Sequence, residues 1–243
     1  MRITNTLRHA GEAFLTLLYP PHCVMCKADL ARGEYLCAPC NETARRIRPP
    51  FCKTCSQPFD GAIEQEFSCS NCAQRHFHFE CAVTCYQSKG IIRELLHRFK
   101  YEGEFYLRHP LGAWLAEGLA DSRLAGEKFD YLVPVPLHPS RERDRQFNQA
   151  RVLAKIAGVQ TGTPLLDCLK RVRKTTTQTR FDRAERMENL LNAFKMRNNG
   201  SVQGKQLVLI DDVFTTGSTV NECARVLKNS GASSVRVLTV ARG

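Results

Sequence analysis

Eight of the twelve cysteines lie between Cys23 and Cys72, in four C-x-x-C pairs: Cys23/Cys26, Cys37/Cys40, Cys52/Cys55 and Cys69/Cys72. Ten residues separate Cys26 from Cys37, and thirteen separate Cys55 from Cys69. A C-x-x-C turn supplies two thiolates from one knuckle, and a short hairpin brings in two more. That is the tetrahedral set Zn²⁺ takes in structural sites. The spacing assigns Cys23, Cys26, Cys37 and Cys40 to one ion and Cys52, Cys55, Cys69 and Cys72 to a second; a cross-braced pairing is the alternative. With every position filled by protein thiolate, neither ion has a place for substrate. Structural zinc contributes about 10–16 kcal/mol in small modules, enough to organise a stretch poor in other apolar residues. His22, His76 and His78 sit near complete ligand sets and read as solvated or packed. Cys81, Cys85, Cys168 and Cys223 read as buried, apolar-like residues.

A second constellation is Val208-Leu209-Ile210-Asp211-Asp212-Val213-Phe214-Thr215-Thr216-Gly217-Ser218-Thr219. A buried parallel strand ending at Asp211-Asp212 would deliver two carboxylates to the C-terminal edge of a sheet, where open α/β folds bind ligands. The hydroxyl-rich loop that follows, with one glycine and a helix start, offers backbone N–H groups and the positive end of a helix dipole. That is a phosphate-sized anion pocket. Two carboxylates beside it suit the vicinal hydroxyls of a ribose, so a sugar 5′-phosphate satisfies both halves. A Walker B reading lacks its partner: no G-x-x-x-x-G-K-[ST] exists, and Gly200 to Lys205 has the wrong spacing. The G-x-G-x-x-G fingerprint is absent as well.

The elements that must position these groups follow from the apolar pattern. Residues 3–19 read as an amphipathic helix, with Ile3, Leu7, Ala10, Phe14 and Leu17/Leu18 at helical spacing. Residues 20–80 are turn-rich and core-poor. From Ala82 strands and helices alternate: strands at Ala82 to Tyr86, Tyr131 to Leu137, Leu207 to Ile210 and Ser234 to Val240; helices at Ile91 to Tyr101, Leu111 to Ala120, Asn148 to Ala157 and Thr219 to Lys228. Alternation of this kind predicts a parallel α/β sheet. The expected division is 1–19 helix, 20–80 double zinc ribbon and 81–243 α/β domain.

Composition bounds the class. The chain has 243 residues, 43% hydrophobic and 24% charged, with a formal charge of +11. No apolar run approaches the ~18 residues of a membrane span, and no small-residue cleavage site follows the apolar stretch at Ala13 to Tyr19. Membrane, secreted, collagenous and disordered classes are disfavoured, and a reducing cytoplasmic location is expected. Residues 141–186 alone carry a net +7. Such a segment meets phosphate, free or in nucleic acid, or forms a solvated helix face.

The Asp211 to Thr219 stretch closely resembles the phosphoribosyl-pyrophosphate (PRPP) signature of type I phosphoribosyltransferases. Together with the cysteine pairs it resembles the ComF family, over essentially the whole chain. Leu96 to Tyr101, Val133 to Gln149, and Arg171 to Phe194 with Gln178, Arg183, Asn189 and Ala193-Phe194 match as well. The resemblance implies that Asp211 and Asp212 bind the ribose hydroxyls and that Thr215, Thr216, Gly217, Ser218 and Thr219 wrap the 5′-phosphate. Arg141 and Arg145, with Lys100, would face the pyrophosphate. The segment from Lys170 to Arg186 would be a closing loop, with Arg171 and Lys174 at the chemistry. The family usually has Gly where this chain has Gln146, a departure that leaves the backbone geometry of that turn open. The resemblance further implies Mg²⁺ with PRPP, and two readings of the activity: phosphoribosyl transfer to an unidentified acceptor, or binding of PRPP, single-stranded DNA or a competence partner without turnover.

Overall fold

The structure is a computed structural model that describes residues 21–31, 33–59, 61, 67–173, 190–197 and 201–243. The helix expected over 3–19, and Lys174, Gln178, Arg183 and Asn189, lie outside the described residues. The chain divides into two compact units, with the boundary between Arg45 and Arg46. That boundary falls within the stretch expected as one double ribbon and leaves one C-x-x-C quartet in each unit.

The two quartets are built on one plan. In the first, the amide of Cys23 donates to Ala28 O (2.8 Å) and that of Lys27 donates to Cys23 O (3.0 Å). In the second, Cys52 N donates to Gln57 O (2.8 Å) and Ser56 N to Cys52 O (2.9 Å). Lys27 and Ser56, each following the knuckle's second cysteine, take the left-handed conformation that closes the turn (φ 65° and 56°). The other two thiols of each quartet come from a short helix that starts just after a cysteine: α1 (Ala38–Thr43) after Cys37, and α2 (Ser70–Ala73) after Cys69.

In the larger unit, β1 (Ala82–Gln87), β2 (Tyr131–Pro134), β5 (Gln206–Phe214) and β6 (Ser234–Arg242) form a sheet in the order β1-β6-β5-β2, parallel throughout. Its strands are nearly continuous apolar runs, as burial on both faces requires. β2 occupies an edge, the place that tolerates Pro134. Helices α3 (Gly90–Tyr101), α4 (Arg108–Gly118), α5 (Pro139–Arg145), α6 (Gln149–Thr161) and α7 (Ser218–Asn229) complete the unit, with a short 3-10 turn at Phe105–Leu107 leading into α4. α4 and α6 pack closely at Gly112, where a Cβ would come within 2.6 Å of Ile156. α7 and the second knuckle bury one continuous core with Leu207, Leu209, Val235 and Val237, in which Cys52, Cys55 and Cys72 are core residues.

Two features depart from the sequence expectation. β5 does not end at Asp211-Asp212. Its ladder with β6 runs on through Asp211↔Thr239, Val213↔Ala241 and Phe214↔Arg242, so both carboxylates lie inside a paired strand. The turn after Pro136 contains a two-turn helix, α5, started by Pro139 at its first position and capped by His138, whose ring accepts from Ser140 N at 3.3 Å. A small antiparallel hairpin, β3 (Leu169–Arg171) with β4 (Phe194–Met196), adds to the predicted elements. Cys168 and Cys223 are fully buried.

Candidate functional site

The four Sγ atoms of each quartet lie within 4.8 Å of one another. Tetrahedral thiolates at the ~2.3 Å Zn–S distance stand about 3.8 Å apart. The closest cross-pair separations are 3.5 Å for Cys26–Cys37 and 3.6 Å for Cys55–Cys69, so the donor sets fit zinc with only small adjustment. The grouping is sequential, not cross-braced. In each set one thiol is favoured as thiolate, while Cys37 and Cys40 in the first and Cys55 in the second are pushed up by their neighbouring thiols and by burial, and Cys72 by burial and then by its neighbouring thiols. Cys52 is held down to about 4 by the Cys55 thiol, with burial opposing and the backbone N–H of Cys69 helping. Burial opposes ionisation of Cys23, yet the N–H groups of Cys26, Cys37 and Met25 bring it to about 6. His22 pairs with Asp29 (3.0 Å), and His76 and His78 face each other edge-on, all outside the quartets.

At the C-terminal edge of the sheet, Asp211 and Asp212 are buried and adjacent. The Asp212 amide donates to Asp211 Oδ1 at 2.9 Å. Lys100, at the end of α3, sets its Nζ on Asp212 Oδ2. Gln149, at the start of α6, reaches Asp212 Oδ1 at 3.5 Å and accepts from Arg145 Nη1 at 2.6 Å. Burial and then the neighbouring Asp212 charge push Asp211 well above the carboxylate range. Asp212 is brought down against burial by Lys100, with Asp211 and Arg145 adding to the effect. The two shifts belong to one coupled pair, in which Asp211 is the carboxyl that keeps its proton to higher pH and Asp212 the one that ionises first.

Phe147-Asn148-Gln149 explains how α6 arrives here. Phe147 packs between Phe99 and Phe105, at 5.0 and 5.1 Å between ring centres. Asn148 caps α6 by accepting from Arg151 N and donates to Val135 O at 3.1 Å. Gln149 is thereby aimed at Asp212. Gln146 adopts the left-handed conformation (φ 69°) that glycine takes without strain, and its Nε2 donates to Arg143 O at 2.7 Å. The turn keeps a glycine-type backbone with a different residue in it.

After Phe214 the chain turns through Thr215 and Thr216 to Gly217, which is left-handed (φ 77°) and starts α7. A Cβ on Gly217 would lie 2.6 Å from the Phe214 ring. Gly217→Ala will therefore destabilise the fold by about 1–2 kcal/mol. It will also push the loop off its ring, which thermal melts and ligand titration will read together. The Thr216 and Ser218 hydroxyls meet at 2.9 Å. Arg242 Nη1 and the Gly243 amide both donate to Phe214 O, fixing the strand end before the loop.

Arg145 lies over the Tyr101 ring at 5.0 Å, and Arg171 lies over Phe194 at 5.3 Å. The Arg171 pKa is lowered by burial and then by the nearby charge of Arg141, while Asp211 acts the other way. Arg171 thus feels both Arg141 and Asp211, Lys100 acts on both carboxyls, and Arg145 acts on Asp212. Sequence reasoning did not assign Gln149, Arg75, Asn221 or Arg242 to this site.

Residues 14–74 match the double zinc ribbon domain family, and residues 149–243 the phosphoribosyl transferase domain family. The chain is 32% identical over 235 residues to the DNA utilization protein YhgH of Escherichia coli K12, covering 93% of this chain and 99% of that one. It is 27% identical over 225 residues to competence protein F of Haemophilus influenzae, covering 90% and 96%. Among solved structures, the glutamine PRPP amidotransferase of B. subtilis is similar over 54% of this chain and 25% of that one, at 22% identity and a TM-score of 0.36. No helix among the described residues is long and apolar enough to cross a membrane. With two four-cysteine clusters followed in sequence by a type I phosphoribosyltransferase-like sheet, and relatives aligned over nearly their full length, the chain belongs to the ComF family.

Proposed function

We propose that the protein binds Mg²⁺-PRPP at the C-terminal edge of its sheet and transfers the phosphoribosyl group to a nitrogen acceptor. The observation that carries this reading is the buried Asp211-Asp212 pair joined directly to the loop from Thr215 to Thr219, with cationic side chains on both sides. The loop amides and hydroxyls receive the 5′-phosphate at the start of α7. The two carboxylates accept from the ribose hydroxyls. Arg141, Arg145 and Arg171 supply positive charge where the pyrophosphate leaves. Asp211 and Asp212 are the carboxylates that would hold Mg²⁺ brought in with the substrate, and the ion would supply further positive charge for the leaving pyrophosphate.

In the transfer, the bond from the ribosyl C1 to the pyrophosphate oxygen breaks, a bond from the acceptor nitrogen to C1 forms, and the acceptor loses its proton to solvent. The acceptor must approach opposite the leaving group. The pyrophosphate-facing turn follows β2 at one edge of the sheet, so the open side lies over β6 and β1. A cavity of about 410 Å³ sits there, between α3 and Val213, lined by Glu94, Leu96, His97, Lys100 and Tyr101. An apolar floor, an exposed aromatic ring and polar groups suit a flat heterocycle. Incubation with Mg²⁺-PRPP and a panel of nucleobases should release pyrophosphate with at least one of them. Release with none, by a protein shown to bind PRPP, would leave binding without transfer.

A second reading has its own observation. Tyr101 (66% exposed), Phe105 and Tyr106 are exposed aromatic residues close together in sequence at the end of α3 and just after it, with the Arg108 guanidinium 4.2 Å from the Phe105 ring centre. Exposed rings among cations are a stacking surface for single-stranded nucleic acid. The names of the relatives, DNA utilization protein and competence protein F, point the same way. A DNA affinity that falls steeply with salt, and falls again on Tyr101→Ala, would support it.

A further inference from the structure

A loop that points its N–H groups at an anion must point its carbonyls the other way. In a trans peptide, the C=O of one residue and the N–H of the next are antiparallel. The direction of the Gly217 amide is therefore set by whatever holds the Thr216 carbonyl, and that of the Ser218 amide by whatever holds the Gly217 carbonyl. The Thr216 carbonyl accepts from Arg75 Nη1 at 3.0 Å, across 141 residues of sequence. The Gly217 carbonyl accepts from the backbone N–H of Asn221 at 2.8 Å, and the Ser218 amide itself meets Thr216 Oγ1 at 3.4 Å. The Asn221 side chain in turn accepts from His78 N at 2.7 Å.

Both donors from outside the loop, Arg75 and His78, belong to the segment that leaves the second cysteine quartet. The amide of Arg75 donates to the carbonyl of Cys72 (3.1 Å), and Cys72 is a thiol of that quartet. The Arg75 guanidinium is steadied over the Phe77 ring at 4.7 Å, Phe77 packs on Phe79 at 4.8 Å, and Phe79 meets Phe214 edge-on at 6.1 Å. Phe214 is the ring on which Gly217 sits. A polar path and an apolar path thus both run from the second quartet to the phosphate loop.

We propose that the second zinc site is a positioning element for the phosphate loop. It acts through Arg75 on the Thr216 carbonyl, and through the backbone of His78 on Asn221, so that the Gly217 and Ser218 amides are aimed before any ligand arrives. Arg75 is a positioning residue; it acts through the Thr216 peptide. The metal's part is to fix the Cys69 to Cys72 turn from which Arg75 extends. The ligand-binding arm of the test rests on the PRPP reading; the loop-geometry arm does not.

The experiment uses full-length protein carrying two zinc ions per chain, confirmed by metal analysis, as wild type, Arg75→Ala, Arg75→Lys and Asn221→Ala. Amide hydrogen exchange at Gly217 and Ser218 is read without ligand, and Mg²⁺-PRPP affinity by titration. Arg75→Ala is expected to keep both zinc ions and a near-wild-type melting temperature. Its Gly217 exchange should speed up and its PRPP affinity fall, each by about tenfold, the size of one charge-assisted hydrogen bond. Arg75→Lys should recover part of both, a restoration that a general packing defect would not give. Asn221→Ala keeps the backbone N–H that holds the Gly217 carbonyl and loses only the anchor from His78 N to the first turn of α7. Exchange at Ser218 should speed up less than Gly217 does in Arg75→Ala, and this variant decides the matter if Arg75→Ala loses zinc or fails to fold. Exchange at Gly217 and Ser218 unchanged in the variants overturns the proposal. Failure of the wild type to bind PRPP overturns the ligand reading instead and leaves the exchange result to decide this one.

Discussion

Serine in place of Cys55 is expected to lower the melting temperature of the larger unit by 10 °C or more, while serine in place of Cys26 leaves that transition where it is. The difference follows from where the thiols sit. Cys52, Cys55 and Cys72 are 0%, 1% and 7% exposed and lie in the same core as Leu207, Leu209, Cys223 and Val237. The knuckle is stitched to β1 as well: Ala82 N donates to Thr54 O at 2.8 Å, and Ser56 Oγ donates to Ala82 O at 2.7 Å. Losing this metal opens the core and frees an edge strand together. Structural zinc is worth about 10–16 kcal/mol, so a loss of even ~5 kcal/mol at ~2–4 °C per kcal/mol gives a drop of that size. Cys26 is exposed and belongs to the smaller unit. Thermal melts of the two variants, with zinc content measured beside them, check the contrast; equal melting of Cys55→Ser and wild type would contradict it.

The two adjacent aspartates are expected to respond in opposite ways to the same substitution. Asp212→Asn leaves the Lys100 ammonium without its carboxylate and should cost about 2–3 kcal/mol. That is below the ~3–5 kcal/mol of a broken buried pair, because relief of the Asp212 charge lets Asp211 ionise in its place. Asp212 has a depressed pKa when folded. Its contribution is present above the ordinary carboxylate value and is lost as pH falls through the folded one. Asp211 has a raised pKa when folded. Above the ordinary carboxylate value the unfolded chain gives up a proton that the folded protein keeps, so its contribution erodes as pH rises towards the folded value. Asp211→Asn mimics the protonated form and removes that erosion. The variant's stability relative to wild type should therefore rise as pH climbs from the ordinary carboxylate value towards the folded one. Urea unfolding from about pH 4 upwards reads both signs; equal destabilisation by the two variants at every pH would contradict the opposite directions of the two shifts.

Much of the site was legible because its chemistry is local. The C-x-x-C knuckles need only residues within a turn, and the loop from Thr215 to Thr219 is read in one stretch. The parallel sheet followed from apolar runs alternating with helical spacing. The extension of β5 through Asp211-Asp212 was not legible, because charged residues normally end a strand, and only pairing with Thr239 to Arg242 keeps them in it. The α5 sequence, Pro-Ser-Arg-Glu-Arg-Asp-Arg, has no apolar stripe, and it forms a helix because His138 and Pro139 start it. Strands of three residues such as β3 and β4 carry no readable period. Gln149, Arg75 and the Asn221 side chain join the site through contacts 63, 141 and 143 residues apart in sequence, which no local pattern encodes. Gln146 shows the reverse: the unusual residue was legible, and the backbone it adopts was not.

The most direct test of the central claim is calorimetric titration of Mg²⁺-PRPP into the zinc-loaded protein and into its Asp211→Asn/Asp212→Asn variant. Saturable binding of one ligand per chain in the wild type, lost in the variant, is the predicted result. No saturable binding at millimolar ligand, or equal binding by both proteins, would contradict the claim that this sheet edge is a PRPP site.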